Sequence, residues 1–190
     1  MIRLAVLRHG ATDWNAAKRL QGRADIPLSD GGRAALAARR IPLAYRDRPW
    51  FTSPLLRTRQ TSEALGLQAA VAGPLIEMDW GIYEGSTLAE LQARYGSAFA
   101  ENEARGLDLQ PPDGESPRQV QQRLLPWLQG LRSDTGAITH KGVIRAMLSL
   151  ALDWPMLGKP PVRLDWHCLQ EFHINDDGRL ELASANIPLE

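Results

Sequence analysis

The chain has 190 residues, 44% of them apolar and 23% charged, with 22 basic residues balancing 22 acidic ones. That length suits one domain with a real core, and a formal net charge of zero excludes a nucleic-acid or membrane-surface protein held by bulk electrostatics. No run approaches the ~18 apolar residues of a membrane span, and one cysteine, Cys168, allows no internal disulfide, so a cytoplasmic protein is expected.

Ile2 to Leu7 is apolar except for Arg3 and reads as a strand buried on both faces of a parallel sheet, ending in Arg8-His9-Gly10. A helix is predicted over Asp13–Leu20, then a loop through Gln21-Gly22 to Pro27. Ser29 or Asp30 caps a helix to about Arg40, which Pro42 ends. Pro49–Ser53 reads as a second strand, and Pro54 opens a helix to Leu65 with Gly66 as its stop. A short strand at Gln68–Val71 precedes a loop from Leu75 to Gly85, which carries Glu77, Asp79 and Glu84. Helices follow over Thr87–Tyr95 and Ser97–Arg105, and Pro111-Pro112-Asp113-Gly114 is a break.

Ser116 caps the next helix, where Val120, Leu124, Trp127, Leu128 and Leu131 recur at helical spacing. Gly136–His140 repeats the opening pattern of a buried strand ending in histidine, and a helix over Val143–Leu152 follows. Asp176-Asp177-Gly178 joins two closing strands. This order predicts an α/β fold, a three-layer sandwich with a mostly parallel central sheet flanked by helices. Residues 1–190 read as one domain without repeat or linker.

In open α/β sheets ligands bind beyond the carboxyl ends of the strands. His9 and His140 both stand at such ends, and Arg57 lies in a first helical turn, where a cation is unfavourable unless an anion joins it. His167 and His173 share strand parity but lack the companions of a metal site. Cys168 reads as a packed small hydrophobe. The tryptophans read as core or pocket lining, with Trp80 a candidate to flank a ligand.

Arg8-His9-Gly10 with Asn15, Gln21-Gly22, Ser53-Pro54-Leu55-Leu56-Arg57-Thr58-Arg59-Gln60-Thr61, Leu75-Ile76-Glu77 through Tyr83-Glu84-Gly85, Gly114-Glu115-Ser116 and Thr139-His140 together resemble the histidine phosphatase superfamily, the phosphoglycerate-mutase-like phosphatases of branch 1. The resemblance spans residues 1 to about 150. It implies a phosphoglycerate-mutase-like fold and a metal-independent phosphomonoesterase without cofactor. His9 would be the nucleophile that becomes a phosphohistidine, and Glu77 the proton donor, chosen over Asp79 and Glu84 by its alignment with the family's acid. Arg8, Arg57 and a protonated His140 would hold the phosphoryl group, with Asn15 and the Gln21-Gly22 backbone completing the cradle. Glu84 is expected to bond amides of its own loop.

The implied partner is a small-molecule phosphate ester, with neither nucleic acid nor membrane. Sugar phosphates, nucleotides and α-ribazole phosphate stay open, as does the oligomeric state. Two other functions fit the motifs: a 2,3-bisphosphoglycerate-dependent phosphoglycerate mutase, and a non-catalytic phospho-ligand module. The short, base-poor interval from Gly85 to Gly114 favours a phosphatase over a mutase. Ala11 stands where the family often has glutamate, and Lys141 where it usually has glycine. If the backbone at 141 needs φ > 0, lysine strains it; alternatively its ammonium enters the pocket and favours a second acidic group on the substrate.

Overall fold

The computed structural model describes residues 1–190. In chain order the elements are β1 (Ile2–Arg8), α1 (Asp13–Ala16), α2 (Asp30–Ala37), α3 (Leu43–Arg46), β2 (Trp50–Thr52), α4 (Leu56–Ala64), β3 (Ala69–Val71), α5 (Leu88–Tyr95), α6 (Ser97–Glu103), α7 (Pro117–Gly130), β4 (Thr135–Thr139), α8 (Lys141–Leu152), β5 (Leu169–Ile174) and β6 (Leu180–Ile187). The strands form one sheet in the order β3-β2-β4-β1-β5-β6. The pairings from β3 across to β1 are parallel, and β5 and β6 close the sheet antiparallel. No helix is long and apolar enough to cross a membrane.

Alternation along β1 sends side chains to both faces of the sheet. Leu4 and Val6 enter the larger cluster with Val120 and Leu124 of α7 and Val143, Ile144 and Met147 of α8. Leu7 enters the opposite cluster with Ile41, Trp50, Leu65 and Ile138. Burying both faces explains why β1 reads as a nearly continuous apolar run and why β4, Thr-Gly-Ala-Ile-Thr, carries no charged residue.

Several boundaries differ from those the sequence suggested. The helix expected over Asp13–Leu20 stops at Ala16. Lys18 turns left-handed at φ 55°, and Leu20 N–H then donates to the Ser86 carbonyl at 2.9 Å, so a long-range partner takes over the backbone. Pro42 starts α3 rather than ending α2, which finishes at Ala37. Pro54 lies outside α4, because the Asp25 carboxylate accepts the Leu56 amide at 2.6 Å and marks the helix start there. The Leu75–Gly85 loop lies between and within two single 3₁₀ turns, Gly73–Leu75 and Gly81–Tyr83.

Candidate active site

The register between β1 and β4 sets the centre. Arg8 pairs with Thr139, so His9 and His140 leave the sheet side by side, and His9 N–H donates to the Thr139 carbonyl at 3.0 Å. Their rings lie 5.2 Å apart between centroids. On the far side of β4, Ser53 N–H donates to the Ile138 carbonyl, and Ser53 Oγ lies 2.8 Å from His140 Nε2. The carboxyl ends of three parallel strands therefore converge at one place, where ligand sites of open α/β sheets form.

Protonation follows from burial. His9 is 6% exposed and His140 fully buried, and both imidazoles are held well below their usual titration range. Desolvation is the main cause; for His9 the charge of Arg8 and then Arg57 adds to it, and for His140 Arg57 leads the added charges. His9 Nδ1 lies 2.7 Å from the Gly10 carbonyl. A carbonyl only accepts, so Nδ1 carries the proton and Nε2 keeps a free lone pair. For His140 that shift works against the protonated form in which it would be a third donor, and its Nδ1 is buried without a partner.

Glu77 enters from the loop after β3. Its carboxylate accepts Met78 N–H at 2.8 Å and Gly142 N–H, in the first turn of α8, at 3.2 Å. Those bonds and the charges of Arg57 and Arg8 favour the anion, but burial outweighs them and raises the carboxyl above its ordinary value. The loop's other acids are committed elsewhere. Asp79 accepts Gly81 N–H at 2.8 Å and faces Arg23 at 3.4 Å. Glu84 accepts the amides of Arg23 at 2.6 Å and Ala24 at 3.1 Å. Glu84 thus bonds the 21–24 loop and not its own, because Gly22 (φ 50°) turns that loop against the carboxylate.

The arginines differ in their engagements. Arg8 makes no protein hydrogen bond through its guanidinium and its Nε is buried without a partner. Arg57, fully buried, spends one edge on the chain itself, donating to the carbonyls of Gly22 at 2.7 Å and Ala24 at 2.8 Å, with Nε unpartnered. The expected fork onto a ligand is therefore partly used to fix the 21–24 loop. Gln21 is buried there with Oε1 unpartnered. Asn15 Oδ1 bonds the backbone and hydroxyl of Thr12 in a capping box, leaving only its amide nitrogen for a ligand.

Lys141 has ordinary helical backbone as the first residue of α8, so no left-handed strain arises. The close approach falls one residue later: a Cβ at Gly142 would collide with the Glu77 carboxylate. Ser53 against His140, and Thr61, whose hydroxyl accepts Gly10 N–H at 3.0 Å, are contacts not singled out from the sequence. Both lie within the Ser53–Thr61 motif, one at its strand end and one a helical turn past Arg57. His173 faces Glu171 at 3.0 Å, and no group of three or more His, Cys, Asp or Glu side chains gathers as a metal site.

A family model described as Histidine phosphatase superfamily (branch 1) matches residues 4–187. The chain is 35% identical over 185 residues to a glucosyl-3-phosphoglycerate phosphatase of Mycolicibacterium vanbaalenii, covering 82% of this chain and 79% of that protein. It is 33% identical over 165 residues to a 6-phosphofructo-2-kinase/fructose-2,6-bisphosphatase of Gallus gallus, where the match takes in 84% of this chain but only 35% of the longer protein. Among solved structures, a mycobacterial glucosyl-3-phosphoglycerate phosphatase complexed with VO3 superposes with a TM-score of 0.79 at 28% identity, covering 98% and 100% of the two chains. A phosphoglycerate mutase from Thermus thermophilus gives 0.71 at 31% identity, covering 96% and 99%. With its motifs in order along a sheet of this topology, the chain belongs to the histidine phosphatase superfamily, branch 1.

Proposed function

We propose that this protein is a metal-independent phosphomonoesterase acting on a small phosphate ester through a phosphohistidine on His9. The observation that carries the reading is the placement of the His9 ring, with Nδ1 2.7 Å from the Gly10 carbonyl and Nε2 left free, under the charges of Arg8 and Arg57, which together with burial favour its neutral form. A phosphate monoester approaches a dianion, and the two guanidiniums cancel its repulsion of the incoming lone pair. His140 takes up a proton from solvent as the dianion binds, the opposite charge favouring its cationic form, and becomes a further donor. Asn15, through its amide nitrogen, and the backbone of Gln21-Gly22 complete the cradle.

In the first step His9 Nε2 bonds to phosphorus as the ester P–O bond breaks. Glu77, whose carboxyl burial pushes toward the protonated form, gives its proton to the departing alkoxide. Water then attacks the phosphohistidine, Glu77 carboxylate takes a proton from it, the P–N bond breaks and phosphate leaves. Proton transfer of this kind contributes ~10²–10⁴-fold, and the oriented cations supply the larger share of the acceleration.

The mutase alternative needs extra bases in the interval from Gly85 to Gly114. Its two arginines are otherwise occupied: Arg94 stacks on Tyr95 at 5.3 Å and Arg105 points to Asn102 at 3.4 Å. Phosphate release from a panel of esters, assayed with chelator present, tests the proposal. Turnover that persists in chelator and vanishes in His9→Ala is expected. Dependence on an added metal, or a phosphoryl group that moves only between positions of a phosphoglycerate, would count against it.

A further inference from the structure

A group of cations extends away from the phosphoryl site along one face of α8. Lys141 and Arg145 are one helical turn apart and so share that face. Trp166, from the segment before β5, joins them to the catalytic pocket: Arg8 Cζ lies 5.7 Å from its ring and Lys141 Nζ 5.5 Å from the same ring. Arg145 Cζ lies 5.1 Å from the Trp154 ring. Neither Lys141, Arg145 nor Arg8 has a carboxylate within ion-pair distance, whereas Arg123 and Arg3 of the same protein are each paired. Arg145 Nε, like Arg8 Nε, is buried without an acceptor.

These three cations repel one another, and the acid that offsets them, Glu77, is itself pushed toward its neutral form. Such a group has no carboxylate of the chain paired to it. Phosphate on Arg8 and Arg57 would satisfy only the inner part of it. Lys141 remains solvent-exposed at the mouth, so a ligand atom can reach it. The indoles are flat walls with a face-on affinity for cations, and each stands over one of the two side chains.

We propose that Lys141 and Arg145, held by Trp166 and Trp154, form a second anion subsite, so that the preferred ligand is a small phosphate ester carrying a further carboxylate or phosphate. The inference rests on the reading of Arg8 as a phosphoryl ligand, and it adds that the group at the other end of the molecule is also acidic. A fork at Arg145 and a mobile ammonium at Lys141 suit either carboxylate or phosphate oxygens.

Binding to the full-length His9→Ala protein, which separates affinity from turnover, tests this by calorimetry. The probes are inorganic phosphate, glycerol 3-phosphate with a neutral tail, 3-phosphoglycerate with a carboxylate, and propane-1,3-diol bisphosphate with a second phosphate. At least one acidic-tailed probe should bind about tenfold more tightly than glycerol 3-phosphate, roughly the worth of one added charge-assisted contact, and the tighter of the two names the group. Adding Lys141→Met, which keeps the stem against Trp166, or Arg145→Gln should shrink that ratio to under about threefold, and Lys141→Arg should keep it. Equal affinity for the acidic and neutral tails, or a ratio unmoved by both substitutions, overturns the subsite while phosphate binding leaves the phosphoryl site standing. Failure of phosphate itself to bind brings down both.

Discussion

Burial acts on His9 and Glu77 in the same sense, lowering the imidazole's pKa and raising the carboxyl's, and each shift favours the neutral form that a nucleophilic imidazole and a proton-donating carboxyl need. The sign for pH follows from those directions. An ordinary histidine would be mostly protonated below pH ~6.5, whereas His9 titrates lower, so kcat/KM should hold as pH falls through that value. Because the Glu77 proton is lost above its raised pKa, activity should decline on the alkaline side. A pH–rate profile corrected for the ester's own ionisation checks this; an acid limb at or above pH ~6.5 would contradict it. Replacing the acid separates its role from that of the cations. Glu77→Gln should lower turnover of an alkyl phosphate by ~10²–10⁴-fold but cost much less with p-nitrophenyl phosphate, whose leaving group needs little proton. Equal losses on both substrates would point to a structural role for Glu77.

At the scale of elements, the site depends on the 21–24 loop being held from two sides. Arg57 of α4 grips its carbonyls, and Glu84 grips its amides. Gly22 makes both possible, with φ 50° and no room for a Cβ beside Glu84. Gly22→Ala should therefore cost about 1–2 kcal/mol from the backbone alone, read as a lower denaturant midpoint, and should also lower kcat/KM as the loop leaves Arg57. Unchanged stability and activity would show that the loop is not a unit with α4. None of this is legible from residue order, which suggests Glu84 for its own loop and the fork of Arg57 for a phosphoryl group. By contrast, Ser116 with Gln119 forms the capping box that opens α7, and Asp177-Gly178 turns β5 into β6, because such signals act within a few residues.

For the whole molecule, the α/β sandwich was readable because β1 and β4 are uncharged over most of their length and each is followed by a histidine, and their pairing then fixes where the rings meet. The shortened α1 and the unexpected α3 were not readable, since each is decided by contacts distant in sequence or by a proline that begins rather than ends a helix. The buried pair also ties stability to pH. Both histidines bind protons less readily folded than unfolded, so their contribution is complete above the unfolded value of about 6.5 and is lost as pH falls below it. Each can cost up to about 1.4 kcal/mol per pH unit. Thermal midpoints should drop between about pH 7 and pH 5.5, less steeply in His9→Asn, and inorganic phosphate should raise them by mass action in the native protein but hardly in Arg8→Ala. A wild-type midpoint independent of pH and phosphate would contradict the account of the buried pair.

The most direct measurement is acid-sensitive labelling of the enzyme itself. Rapid quench with a phosphate ester labelled on phosphorus, followed by peptide mapping under alkaline conditions, should place one acid-labile phosphoryl group on His9, with none in His9→Asn. A label that survives that substitution, or turnover at full rate without any labelled enzyme, would contradict the central claim that this imidazole receives the phosphoryl group.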